Sequence, residues 1–275
     1  MNKTQTIRDV QNKILDIMKY IDTICRENGI DYYIMGGTAL GAVRHGGFIP
    51  WDDDLDIFMT PEQYAKFKSI FEADKSEKFV LQEWRTTPQY IEYAKIRMNG
   101  TTFIEYAFAN RTDMHHGIYV DIMILHKVPN KPLIQKLIFF ESKYVTLLAL
   151  TQRNWVPKSK MQELAVKIIK FLPNRLLAKC CYKRIYKYDN LDKNFFWSYW
   201  ITKASLKKGL FRPDIFDRPV DIVFEDTVLK GPNHIKEYLQ LRYGDYMKMP
   251  SEQEQKMDIH AEVYDTERHY KEYMR

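Results

Sequence analysis

Residues 32–59 read YYIMGGTALGAVRHGGFIPWDDDLDIFM, and this stretch decides the fold. Asp31 to Met35 is a short aromatic and β-branched run that stops at Gly36-Gly37, and the small residues from Thr38 to Val43 suit a helix. A strand, a tight glycine turn and a helix are therefore expected in that order. After a loop from Arg44 to Pro50, Trp51 to Met59 reads as a second strand, with Asp54 and Asp56 alternating with Leu55, Ile57 and Phe58. Alternation along a strand sends every second side chain to the same face, so both carboxylates should project together.

Working outward, Ile7, Val10, Ile14, Ile17, Met18, Ile21 and Ile24 fall at helical spacing, with Thr4 or Thr6 available as a cap and Asn28-Gly29 as a stop. Thr60-Pro61-Glu62-Gln63 has the form of a capping box opening another helix, whose buried stripe is Tyr64, Phe67, Ile70 and Phe71. Phe79–Trp84, Tyr93–Met98 and Thr102–Tyr106 read as short strands. Gly117–Leu125 (GIYVDIMIL) reads as a nearly continuous apolar central strand with one charge, Asp121. From Pro132 onward the pattern turns helical, with segments Leu133–Leu150 and Met161–Tyr188 broken by Pro157 and Pro173. The expected fold class is α+β, a mixed α/β sheet flanked by helices over residues 1–130 and a mainly helical part over 131–275. The boundary is soft, because Asn130-Lys131-Pro132 is a turn rather than a linker.

Composition narrows the class. With 275 residues, 45% of them hydrophobic and 14% aromatic, the chain can bury a sizeable core. Cys25, Cys180 and Cys181 cannot form a disulfide framework or a cysteine-rich zinc site, since two are adjacent and none has C-x-x-C spacing. No apolar leader region opens the chain and no uncharged run reaches spanning length, so a cytoplasmic location is expected. The net charge of +6, with Lys and Arg dense between Lys158 and Lys187, suits a phosphate-rich partner, an anionic membrane face or an ordinary solvated surface.

Four carboxylates within five positions of an otherwise apolar element are costly unless a cation offsets them. Mg²⁺ or Mn²⁺ is the simplest counterion, because hard cations take one or two carboxylates together with substrate phosphate oxygens. Asp54 and Asp56 fit this role, and Asp121 supplies a third carboxylate, as metal ligand or base, if its strand lies beside theirs. Asp52 is a possible fourth ligand or a loop cap, and Asp53 should face away. Gly36, Gly37 and Thr38 offer close backbone approach, exposed amides and a hydroxyl to a phosphate. Lys95 and Arg97 share one strand face, either as a solvent-facing pair or as neutralisers of donor phosphates. Arg44 and His45, in the loop before the acidic strand, are also candidates to approach the donor.

The 32–59 stretch resembles the signature of the LicD family, whose relatives include the fukutin-related phospho-alcohol transferases. The likeness extends into EYAKIRMNGTT, GIYVDIMIL, Pro232-Asn233 and YLQLRYGDYMKMP. It implies a nucleotidyltransferase-like core carrying Asp54, Asp56 and Asp121 at the acidic positions and Gly36, Gly37 and Thr38 at the glycine motif that meets the donor phosphates. It further implies Mg²⁺-dependent transfer of phosphocholine or a similar phospho-alcohol from a CDP-activated donor such as CDP-choline to a glycan, teichoic-acid or lipid-linked hydroxyl, with CMP leaving. No nucleic acid partner is implied, and the cysteines of the zinc loop found in fukutin-related members are absent. A lipid-linked acceptor would give the basic, apolar helices between 158 and 188 a use at the inner face of the membrane. Two alternatives remain: attachment of a nucleoside monophosphate with release of pyrophosphate, and a silent glycan-binding protein.

Overall fold

The computed structural model describes residues 5–274 apart from 85, 87, 88, 154–156, 158, 170, 201–204, 257 and 258. It opens with helix α1 (Ile7–Glu27), where Thr6 and Asp9 form a reciprocal capping box and the predicted apolar stripe is buried from Val10 onward, Ile7 being half-exposed. Thr4 lies outside the described residues. Strand β1 (Tyr33–Ile34) leads into α2 (Gly36–His45), then β2 (Asp56–Met59), α3 (Pro61–Asp74), β3 (Phe79–Glu83), β4 (Tyr93–Met98), β5 (Thr102–Glu105) and β6 (Tyr119–Pro129). Thr60 caps α3 by accepting from the Gln63 amide at 3.3 Å. The reciprocal half of the predicted box is not used, because the Gln63 side chain accepts from the Asp31 amide instead.

The central sheet runs β1-β2-β6-β4-β3. β2 and β6 are parallel, while β1 with β2, β6 with β4 and β4 with β3 are antiparallel. One face carries Ile57, Met59, Ala94, Ile96, Val120, Ile122 and Ile124, all buried in the same core as the apolar stripes of α1 and α3. The opposite face carries Asp56, Lys95 and Asp121. This division follows from the period-2 geometry of the strands and is what positions the site.

Beyond residue 131 come α4 (Pro132–Leu150), α5 (Lys160–Ile169) and α6 (Asn174–Tyr188), which realise the predicted helical segments. The remainder is mixed. β7 (Phe195–Tyr199) pairs with the far end of β6, β8 (Val220–Phe224) and β9 (Thr227–Gly231) form a hairpin, and α7 (Ile235–Tyr243) and α8 (Glu252–Lys256) precede β10 (Ala261–Asp265), which pairs with β5. Helical character is therefore concentrated in 132–188, and the C-terminal quarter returns to complete the front half. A second core, including Val128, Ile138, Val145, Ile185 and Trp200, ties α4 and α6 to β6 across the expected boundary.

Candidate active site

Three charged side chains stand in one row across the sheet, since Asp56 is in register with Asp121 on β6 and Asp121 with Lys95 on β4. They open into a cleft of about 330 Å³, which Asp54, Tyr93, Glu105, Tyr119, Arg153, Tyr199 and His260 also line. A separate cavity of about 390 Å³, lined by Asp31, Gln63, Lys127, Asp189 and Trp197, is reached by none of the acidic-run side chains. The acidic row opens into the smaller space.

Burial raises the Asp56 carboxyl well above the ordinary carboxylate range, with Asp54 and Asp121 adding repulsion. Asp54 rises to about 6, chiefly through burial and against the pull of His260, and Asp121 is also raised by burial despite the neighbouring Lys95 ammonium. Asp52 is driven up by burial and by Asp54 and Asp56. Lys95 Nζ donates to Asp121 Oδ2 at 3.0 Å and packs 3.3 Å from the Tyr119 ring centroid. Asp56 Oδ1 is buried with no hydrogen-bond partner among the described residues. This is a site under-supplied with positive charge.

A divalent cation fits that deficit. Among the described residues no three His, Cys, Asp or Glu side chains close on a common point. Mg²⁺ can be held by one or two protein carboxylates, its remaining oxygens coming from phosphate and water.

The glycine motif approaches the carboxylates rather than an open nest. Gly36 sits at φ +55°, and a Cβ there would lie 3.5 Å from Asp56 Oδ2. At Gly37 a Cβ would come within 2.7 Å of Asp52 Oδ2. Thr38 spends its hydroxyl accepting the Asp56 amide at 2.9 Å, and the Gly36 amide donates to the Tyr238 hydroxyl at 2.9 Å. The turn thus sets Asp52 and Asp56 against the positive end of α2. Tyr238→Phe would leave the Gly36 N–H unpaired and is expected to cost about 1–3 kcal/mol, read by urea denaturation. An unchanged midpoint would remove the bond from the accounting.

Arg97 does not share the place of Lys95. It is fully buried and donates to Gln82 Oε1, Gly117 O and Glu105 Oε2, at 2.8, 2.8 and 3.1 Å, so it steadies Glu105 instead of facing the cleft. Burial alone would raise the Glu105 carboxyl, but the Lys95 and Arg97 charges overcome it and hold it near about 2. Arg44 and His45 are also displaced from the cleft, because α2 begins at Gly36 and continues through them, putting them at its far end, roughly 12 Å along the axis. Arg44 donates to the Tyr246 carbonyl there, and His45 packs edge-on to Trp51.

Asp53 does turn away from the row, but it is buried rather than solvated. It accepts the amides of His260 and Ala261 at 2.8 and 3.0 Å and binds His260 Nδ1 at 2.9 Å, pinning the start of β10 at the cleft mouth. The Asp53 hydrogen bond lifts the His260 imidazole to about 10, so a histidinium stands 3.5 Å from Asp54. His260, Glu105, Arg153 and Tyr238 were all missed from sequence. Glu105, the lone acidic residue of a short strand, carried a local signal, and Tyr238 opens the YLQLRYGDYMKMP stretch that shares the family likeness.

A sequence profile described as LicD/FKTN/FKRP, nucleotidyltransferase domain, matches residues 29–144. Residues 29–144 are a LicD-family domain. The matched span holds the glycine turn, the acidic run, Lys95, Glu105 and Asp121, but stops short of Arg153, Tyr238 and His260. Beyond this LicD-family domain the likeness continues, since lipopolysaccharide cholinephosphotransferase LicD of Haemophilus influenzae is 29% identical over 268 residues, covering 95% of this chain and 99% of that protein. Shorter matches join the human ribitol 5-phosphate transferase FKRP, 44% identical over 39 residues, 14% of this chain and 8% of that one. An uncharacterised protein of Rickettsia typhi is 46% identical over 57 residues, covering 21% of this chain and 18% of its own.

Proposed function

We propose that this protein is a metal-dependent transferase that moves phosphocholine, or a closely similar phospho-alcohol, from a CDP-linked donor to a hydroxyl of a cell-surface glycan or its lipid-linked precursor. The observation that carries this reading is the in-register row Asp56–Asp121–Lys95 opening into a cleft that Arg153 also lines. The 95% span of likeness to a cholinephosphotransferase supports the choice of cargo.

Asp54 and Asp56 would hold Mg²⁺ or Mn²⁺ with two protein carboxylates, and the cation when bound would neutralise donor phosphate oxygens. Arg153, which lines the same cleft, would add a guanidinium for the pyrophosphate. Lys95 fixes the Asp121 carboxylate in orientation, and the raised affinity of Asp121 for a proton suits it to take the acceptor hydroxyl proton as the acceptor oxygen bonds to phosphorus. The phosphorus–oxygen bond to CMP breaks in the same displacement. Tyr93, Tyr106, Phe108, Tyr119 and Tyr199 line the walls, and rings of this kind receive a quaternary ammonium.

Incubation with radiolabelled CDP-choline, Mg²⁺ and a glycan acceptor is expected to release CMP and label the acceptor, with neither product in EDTA. Pyrophosphate release from CTP and phosphocholine, with no CMP from CDP-choline, would assign the chain instead to nucleotidyl transfer.

A further inference from the structure

Helix α5 is amphipathic, but most of its apolar side is left uncovered by the described residues. Met161, Leu164 and Ile168 follow one another at three- and four-residue spacing, which makes a single stripe. In a soluble fold such a stripe faces the core. Here all three are exposed, Met161 by 79%, and only Ile169 is buried, against Leu148 and Ala178. The apolar surface continues past the helix end through Phe171, 90% exposed, then Leu172 and Leu176. No described helix is long and apolar enough to cross a membrane.

The charge around it is one-sided. Residues 131–188 contain thirteen Lys and Arg against two Glu, so this segment is +11 in a chain of net +6 and the rest is −5. Both glutamates are already paired, Glu141 with Arg184 at 3.1 Å and Glu163 with Lys167 at 2.8 Å. On α6, Arg175, Lys179, Lys183 and Lys187 recur every four residues and are all exposed, forming a basic ridge immediately after the apolar corner. A second protein with an apolar patch would be served by the stripe alone, whereas an anionic lipid surface uses both the stripe and the ridge.

We infer that α5 and the corner leading into α6 dock on an anionic membrane surface, the apolar side chains entering the headgroup boundary and the lysines and arginines lying over lipid phosphates. α5 begins seven residues after Arg153, which lines the cleft, so docking would hold the cleft close to the lipid plane. That last consequence rests on the transfer reading and would present a lipid-linked acceptor to the site; the docking itself does not depend on it.

The full-length protein is expected to sediment with phosphatidylglycerol-containing vesicles and to remain in solution with pure phosphatidylcholine. Ile168→Glu combined with Phe171→Glu, both exposed positions outside the cleft, is expected to lower the bound fraction at least about tenfold with an unchanged melting temperature. Soluble CMP release should be the same in both proteins, so loss of vesicle binding and loss of transfer are scored separately. Absence of sedimentation with anionic vesicles, equal sedimentation of wild type and variant, or a wild-type dimer that the double variant dissolves would each overturn the docking.

Discussion

Asp56→Asn is expected to lower transfer by about 10²–10³-fold or more while making the metal-free protein more resistant to heat. The two effects have one cause. Asp56 is half-buried beside Asp54 and in register with Asp121, one of its oxygens is buried with no described partner, and its carboxyl is driven well above its ordinary range by burial and then by those neighbours. In linkage terms, a carboxyl whose folded pKa is raised favours the folded state at low pH and withdraws that favour as pH climbs from the unfolded value through the folded one. At pH 7 without divalent cation, keeping the Asp56 carboxyl in this site therefore works against the fold, because its raised proton affinity is a cost relative to the unfolded chain. Asparagine keeps the shape and removes the charge, and relief of about 1 kcal/mol would move the melting temperature up by roughly 2–4 °C in a chain of this size. The same change deletes a carboxylate from the set proposed to hold the cation, so activity falls as stability rises. Calorimetry in EDTA and initial rates with CDP-choline check the two halves. A variant that melts lower and keeps full turnover would make Asp56 a structural residue.

What could be read from sequence was local. The Pro61 helix start, the lone Asp121 and the later half of the acidic strand, Asp56–Met59, declare themselves within a few residues, because capping and strand alternation act over that range. Residues 51–55, expected in the same strand, are instead loop and carry Asp54, and the helix expected from Thr38 already begins at Gly36. Lys95 and Arg97 mark where this stops. They share a strand face, yet Lys95 borders the cleft and Arg97 is sealed beneath Glu105, since a period of two gives the face but not the depth along the strand. Asp53 and His260 lie 207 positions apart and meet only because β10 pairs with β5, a pairing no local pattern announces. Arg153 sat in the segment least distinctive by sequence, and its place follows from where α4 ends against the sheet. The mixed C-terminal quarter was obscured in the same way: β7 and β10 are short strands whose partners lie in the front half.

Glu105→Gln is expected to carry the largest stability loss, about 3–5 kcal/mol at neutral pH. Glu105 is the carboxylate between two buried cations, 3.1 Å from Arg97 Nη2 and 3.5 Å from Lys95 Nζ. Arg97 has no exposure and Lys95 almost none, so neither can turn to water when the negative charge is removed. Glutamine retains the acceptor oxygen for one hydrogen bond but leaves both positive charges to Asp121 alone, which is already desolvated. The pH profile separates this from simple misfit. Burial would raise the Glu105 carboxyl, but Lys95 and Arg97 hold it near about 2, below its ordinary value of 4.5. A depressed carboxyl contributes its stability above the unfolded pKa and loses it as pH falls through the folded one. The gap between wild type and variant should therefore be widest above about pH 5 and close progressively toward pH 2 in urea titrations. A gap that stays constant across that window would mean that the cost lies in packing and not in the charge. Because Lys95 also orients Asp121, the surviving folded fraction of Glu105→Gln should bind CDP-choline but turn it over more slowly, linking the structural ion network under the cleft to the carboxylate row above it.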